Sequence, residues 1–138
     1  MKKTMLGFMI FLTAVLLTAF YSPCDFHSLA AGLSAVYRIY TIEPIGAPVF
    51  GVNGRTVYIS DDANAHAIGE ELTFDGGASD KEKILLRFFV ISHHVQELDG
   101  VTVITGHSAR LPGMGDNIQI AFNGSRYKVG TPLLLGGY

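Results

Sequence analysis

Five histidines and a few paired carboxylates are the residues of this chain whose types could do chemistry. His93-His94, His107 and His66 form the only potential metal cluster. If His93 and His94 sit on a helix, they point about 100° apart and cannot easily share one ion. No cysteine pair, His-x-x-x-His or Glu-x-x-His spacing accompanies them, so no metal site is assigned. Thr105-Gly106-His107-Ser108 sets a nucleophile type beside a base type. Neighbours on a strand point to opposite faces, and the Gly-x-Ser-x-Gly elbow of a hydrolase is absent. Asp61-Asp62 and Glu70-Glu71 offer carboxylates without the alternating pattern of a calcium loop, which leaves a helix cap and a solvated face. Pro112-Gly113-Met114-Gly115 lacks the spacing and following helix of a phosphate loop. No catalytic residue and no cofactor are therefore assigned.

The elements that would position these residues start with a leader. Met1-Lys2-Lys3 precedes an uncharged apolar run from Met5 to Tyr21, and Ser28-Leu29-Ala30 places small residues where a signal peptidase needs them. Residues 1–30 thus read as a signal peptide cut before Ala31 or as a retained N-terminal anchor, and 31–138 as one extracytoplasmic domain. Cys24, the single cysteine, would leave with a cleaved leader, so the domain forms no internal disulfide. Phe20-Tyr21-Ser22-Pro23 lacks the small residue that lipoprotein processing wants before that cysteine. Stability must come from apolar burial, which a 49% hydrophobic composition can supply. Formal charge is −2, and the arginines and lysines are scattered, which argues against a nucleic-acid partner.

Val36–Ile42 is β-branched and aromatic and predicts a strand. Val49–Val52 and Thr56–Ile59 flank Asn53-Gly54, the signature of a tight hairpin. Asp61–Ile68 suggests a short capped helix, ended by Gly69 or running to Leu72, and Thr73–Ala78 a loop. Ser79-Asp80-Lys81-Glu82 has the form of a capping box. A helix is expected from there to about Leu98, with Asp99-Gly100 ending it. Ile84, Phe88, Ile91, Val95 and Leu98 would form its core face. Leu86, Phe89 and Val90 would lie on a second apolar side, covered by neighbouring segments or serving as an interface. Val101–Thr105, Asn117–Phe122 and Tyr127–Val129 read as strands, with Asn123-Gly124 as a turn and Pro132 ending the last. The fold class is α+β, an antiparallel sheet with one main helix packed on it.

Ser79–Tyr138 resembles the C-terminal half of the YwmB family of endospore-forming bacteria. The resemblance rests on an apolar helix with Leu85-Leu86 and on Asn117-Ile118-Gln119-Ile120-Ala121-Phe122. It continues through Tyr127 and Val129-Gly130-Thr131-Pro132-Leu133 to a terminal Tyr138. It implies an exported protein with a fold similar to the TATA-box-binding protein, two halves that each lay a helix on a curved sheet. No catalytic residues come with it. At this length the chain is expected to hold one full half, and so to pair as a homodimer that covers the open sheet edge and the Leu86/Phe89/Val90 side. The expected role is a non-enzymatic protein of the cell envelope acting through protein contacts, with a link to sporulation. The alternatives are a small secreted hydrolase or metal-dependent enzyme using the histidines, and a module whose sheet face holds an apolar ligand.

Overall fold

A strongly β-forming chain, broken by Gly and Pro turns, closes here into one sheet. The computed structural model describes residues 2–21, 25–44, 47–52, 55–60 and 67–134. Two helices come first, α1 (Lys2–Tyr21) and the single turn α2 (Phe26–Leu29). Four strands follow: β1 (Val36–Thr41), β2 (Ala47–Val52), β3 (Arg55–Ser60) and β4 (Ala67–Asp75). After a 3₁₀ turn at Ala78–Asp80 come α3 (Lys81–Arg87), β5 (Val90–Leu98), β6 (Val101–Ser108), β7 (Ile118–Phe122) and β8 (Arg126–Thr131). All pairings are antiparallel, in the order β2-β3-β1-β4-β8-β7-β6-β5. The class is α+β.

The sheet is built from two successive units, each a short helix followed by four strands. Their last strands, β4 and β8, meet antiparallel at the centre from Glu70↔Thr131 to Asp75↔Arg126. This corrects the expectation of a single half with an open edge: β4 of the same chain occupies the edge that β8 would otherwise expose. The β2–β3 pairing follows the expected hairpin, although its Asn53-Gly54 turn lies outside the described residues.

Register sorts residues by face, because directly paired residues share one. Leu72, Val129, Ile120 and Ile104 form a row across β4-β8-β7-β6 on the first face. Phe26 of α2 and Ile84, Leu85 and Phe88 of the α3 region cover that row. Phe26 and Phe88 approach to 5.8 Å between ring centroids. Residues 25–33 and α3 together close the main core. On the second face, chain after β8 folds back so that Leu134 packs on Val103 and Ala121. Gly130 permits this, since a Cβ there would lie 2.7 Å from a Leu134 methyl and 2.8 Å from the Leu133 carbonyl oxygen.

Three other expectations are corrected. The helix does not run to Leu98; it stops at Arg87, and Phe89 turns the chain with a φ of 53°. Val90–Leu98 is a strand, because Asp99 and Gly100 have φ of 48° and 82°, the paired positive values of a two-residue hairpin turn. The Asp-Gly pair expected to end a helix is thus a hairpin joining Leu98 to its partner Val101. Of the proposed core face, Ile84 and Phe88 are buried, while Ile91, Val95 and Leu98 are exposed. Ser79 does not cap α3; it lies in the preceding 3₁₀ turn, where the Gly77 N–H donates to Asp80 Oδ2 at 2.8 Å. Finally, Ala67–Asp75 is a strand rather than the end of a helix and a loop, because both its edges are paired, by β1 and by β8.

Among the described residues no helix is long and apolar enough to cross a membrane. In α1 the described side chains, residues 2–17, are all exposed.

Candidate functional site

The residues singled out by type are held apart. His93 and His94 follow one another on a strand and so face opposite sides of the sheet. His93 pairs with Gly106 on the first face and His94 with Thr105 on the second. His107 shares the second face, and its Nδ1 is hydrogen-bonded to the Gly115 carbonyl, which fixes that nitrogen as the donor. Among the described residues no three of His, Cys, Asp and Glu gather as a metal-binding group. His66 and Asp61-Asp62 lie outside the described residues.

Ser108 is fully buried, and its Oγ donates to the Phe88 carbonyl at 2.5 Å. That bond ties β6 to the turn between α3 and β5. His107, one residue before it on the strand, points the other way. The pair therefore does structural work rather than presenting a nucleophile beside its base.

Asn117, which the sequence marks only as part of a motif, organises the long loop after β6. Its Oδ1 accepts from Ser108 N at 2.6 Å, and its Nδ2 donates to the carbonyls of Ser108 and Leu111 at 3.1 Å and of Pro112 at 3.3 Å. Thr131 Oγ1 donates to the Asn117 carbonyl at 2.8 Å, linking the loop to the end of β8. Pro112–Gly115 is held by this amide at its start, not arranged around a phosphate.

The three residues proposed as an interface differ in exposure and surroundings. Leu86 projects from α3 and is 76% exposed. Phe89 lies beneath the Arg110 guanidinium, 4.9 Å from its ring centroid. Val90 packs against the main core.

Two features that residue types alone did not reveal remain. The first is a groove of about 540 Å³ on the second face, floored by Val36, Thr73, Ala121 and Val101. Arg38, Lys128 and Arg126 bring positive charge to it, Glu71 and Asp75 negative. Arg126 pairs with Asp75 at 3.1 Å, but both are exposed, so the bond is worth little. Glu71 is only 2% exposed and its Oε2 accepts from the Tyr40 hydroxyl at 2.8 Å. Burial, then the Glu71 bond, push the Tyr40 hydroxyl well above its usual range, while Arg38 pulls the other way. On the first face, Tyr37 donates to Glu70 and is raised for the same reasons. Register was the missing signal: Arg38 pairs with Glu71, and Thr73 with Lys128, only once the strand order is known.

The second feature is the edge strand β5. Residues 91–98 are exposed throughout, and Ile91, Val95 and Leu98 expose apolar surface. The strand carries no Lys, Arg or Pro, and its one acidic residue, Glu97, accepts from Thr102 Oγ1 at 2.7 Å. A bulge between Val90 and Ser92 lies beside Gly106, where a Cβ would meet the Ser92 carbonyl oxygen at 2.3 Å.

Comparison with known proteins gives no match to this chain, whether with family models, with curated proteins or with solved structures.

Proposed function

We propose that this chain is a non-enzymatic, extracytoplasmic domain of the cell envelope that acts through protein contacts made at the β5 edge. The carrying observation is that edge: among the described residues, eight of its nine residues pair with β6 and none pairs on the other side, and the strand carries no Lys, Arg or Pro to block further pairing. The positive N-terminus and apolar run of the leader support export. The YwmB-like motifs suit a fold of two helix-on-sheet halves, here within one chain, and a role linked to sporulation.

The first partner we assign is a second copy, its β5 lying antiparallel to the first about a two-fold axis. Such pairing is self-complementary and adds main-chain hydrogen bonds along the strand. It replaces the Leu86/Phe89/Val90 contact as the basis of a homodimer. Light scattering of the purified chain across micromolar concentrations should give a dimer mass, and Val95→Lys should shift it toward monomer. A monomer at every concentration refutes self-pairing.

The groove favours a second reading, a ligand module of the sheet face. Its lining is charged and polar as much as apolar, so the ligand would be a small anion rather than an apolar molecule. Calorimetric titration with inorganic phosphate, and its loss in Arg38→Ala, would support this reading over the first.

A further inference from the structure

The segment just after the apolar leader is part of the hydrophobic core. Phe26 is 2% exposed and Ala30 8%, and both belong to the cluster formed by Leu72, Ile84, Phe88 and Val129. Leu29 and Leu33 pack against the same cluster. Arg87, the last residue of α3, reaches across to this segment: its Nη1 donates to the Leu29 carbonyl at 3.4 Å, and its Nη2 to that of Ala31 at 3.1 Å. The turn closes on itself through Ala30 N to the His27 carbonyl at 3.1 Å and Leu33 N to that of Ala30 at 2.9 Å.

Ser28-Leu29-Ala30 nevertheless has the small-residue spacing of a peptidase site, with the cut before Ala31. A cut there would discard Phe26, Leu29 and Ala30 and leave Phe88, now fully buried, open on the side Phe26 covers. It would also remove one of the carbonyls that Arg87 holds. Small domains have little core to spare.

We infer that the bond between Ala30 and Ala31 is not a processing site, and that the exported domain keeps Phe26–Leu33 as an N-terminal plug clamped by Arg87. The inference rests on the export reading only for its setting. The plug is a property of the fold wherever the chain resides.

The test uses the full chain, with its leader, expressed in a bacterium that exports it. Intact-mass and N-terminal sequencing of the extracytoplasmic protein should give a start at or before Asp25. Two substitutions report retention independently. Ser28 is exposed, so Ser28→Ala should appear in the mass of the exported product while leaving its urea midpoint at the parent value. Phe26→Ala should appear in the mass and lower the midpoint clearly. If the exported product starts at Ala31, so that both variants yield protein identical to the parent in mass and midpoint, the inference is overturned. A chain found only inside the cell refutes export instead; a lowered midpoint of Phe26→Ala there still supports the plug, and an unchanged midpoint overturns it.

Discussion

Two side chains show how polar residues are made safe inside this sheet. Asn117 is 1% exposed and satisfies four backbone groups with one amide. Replacing it with alanine strands the buried Ser108 N–H and frees the loop, so Asn117→Ala should cost about 2–3 kcal/mol in urea unfolding. Tyr40 and Glu71 pose a different problem, a hydroxyl and a carboxylate buried side by side. The folded state holds the hydroxyls of Tyr40 and Tyr37 protonated above their ordinary value of 10.0. Their contribution to stability is therefore complete below that pH and is lost as pH rises through the folded values. The urea midpoint should stay level with respect to these groups up to about pH 10 and fall beyond it. In Glu71→Gln the amide oxygen can still accept from Tyr40 but the negative charge is gone, so the fall should begin at the same pH but be smaller and level off sooner. An identical alkaline limb in both proteins would show that the carboxylate does not hold the proton on Tyr40.

At the level of elements, the strands with one buried face were legible and the helix boundary was not. Ile118, Ile120 and the Tyr127/Val129 pair alternate plainly, and their strands stand where the pattern put them. In Ile84–Leu98 the apolar residues recur at helical intervals, yet only the first turns are helical, because periodicity ignores what Asp99-Gly100 can do. Once that pair makes a hairpin turn, residues 90–98 gain a ladder with β6, broken by one bulge between Val90 and Ser92, and Phe89 absorbs the change of direction. The same blindness hid β4, whose strand character depends on two partners distant in sequence. The groove was unreadable for that reason too, since its charges come from β1, β4 and β8. These corrections predict mutational contrasts. Ser79→Ala, away from any cap bond, should stay within about 0.5 kcal/mol of the parent. Phe88→Ala, at the junction of α3, Phe26 and the sheet, should cost about 3–5 kcal/mol. Equal costs for the two in denaturant melts would contradict this placement of α3.

For the whole molecule, the sheet order implies a gradient of stability from centre to edge. The β4–β8 seam joins the two units, is paired on both sides, and lies beneath α2 and α3 through Leu72, Phe74, Tyr127 and Val129. Opening it requires separating both units, so its amides should exchange only through global unfolding. The far hairpin is different. From residue 91 onward β5 contributes no buried side chain and, among the described residues, has β6 as its only strand neighbour. Among the described residues no strand lies beside its amides that point away from β6 to supply acceptors. Hydrogen exchange of dilute protein should therefore find β4, β7 and β8 slowest and the outward amides of β5 fastest. Concentration then becomes the decisive variable. If two copies pair along β5, those amides become donors to the second strand, and their exchange should slow as the dimer forms, while the seam is unaffected. Exchange of β5 that stays fast at every concentration would mean that the edge is left for another partner or for solvent. Protection of β5 already complete at the lowest concentration, in a protein that scatters as a monomer, would mean that another segment of the same chain covers β5 and that the sheet does not end there.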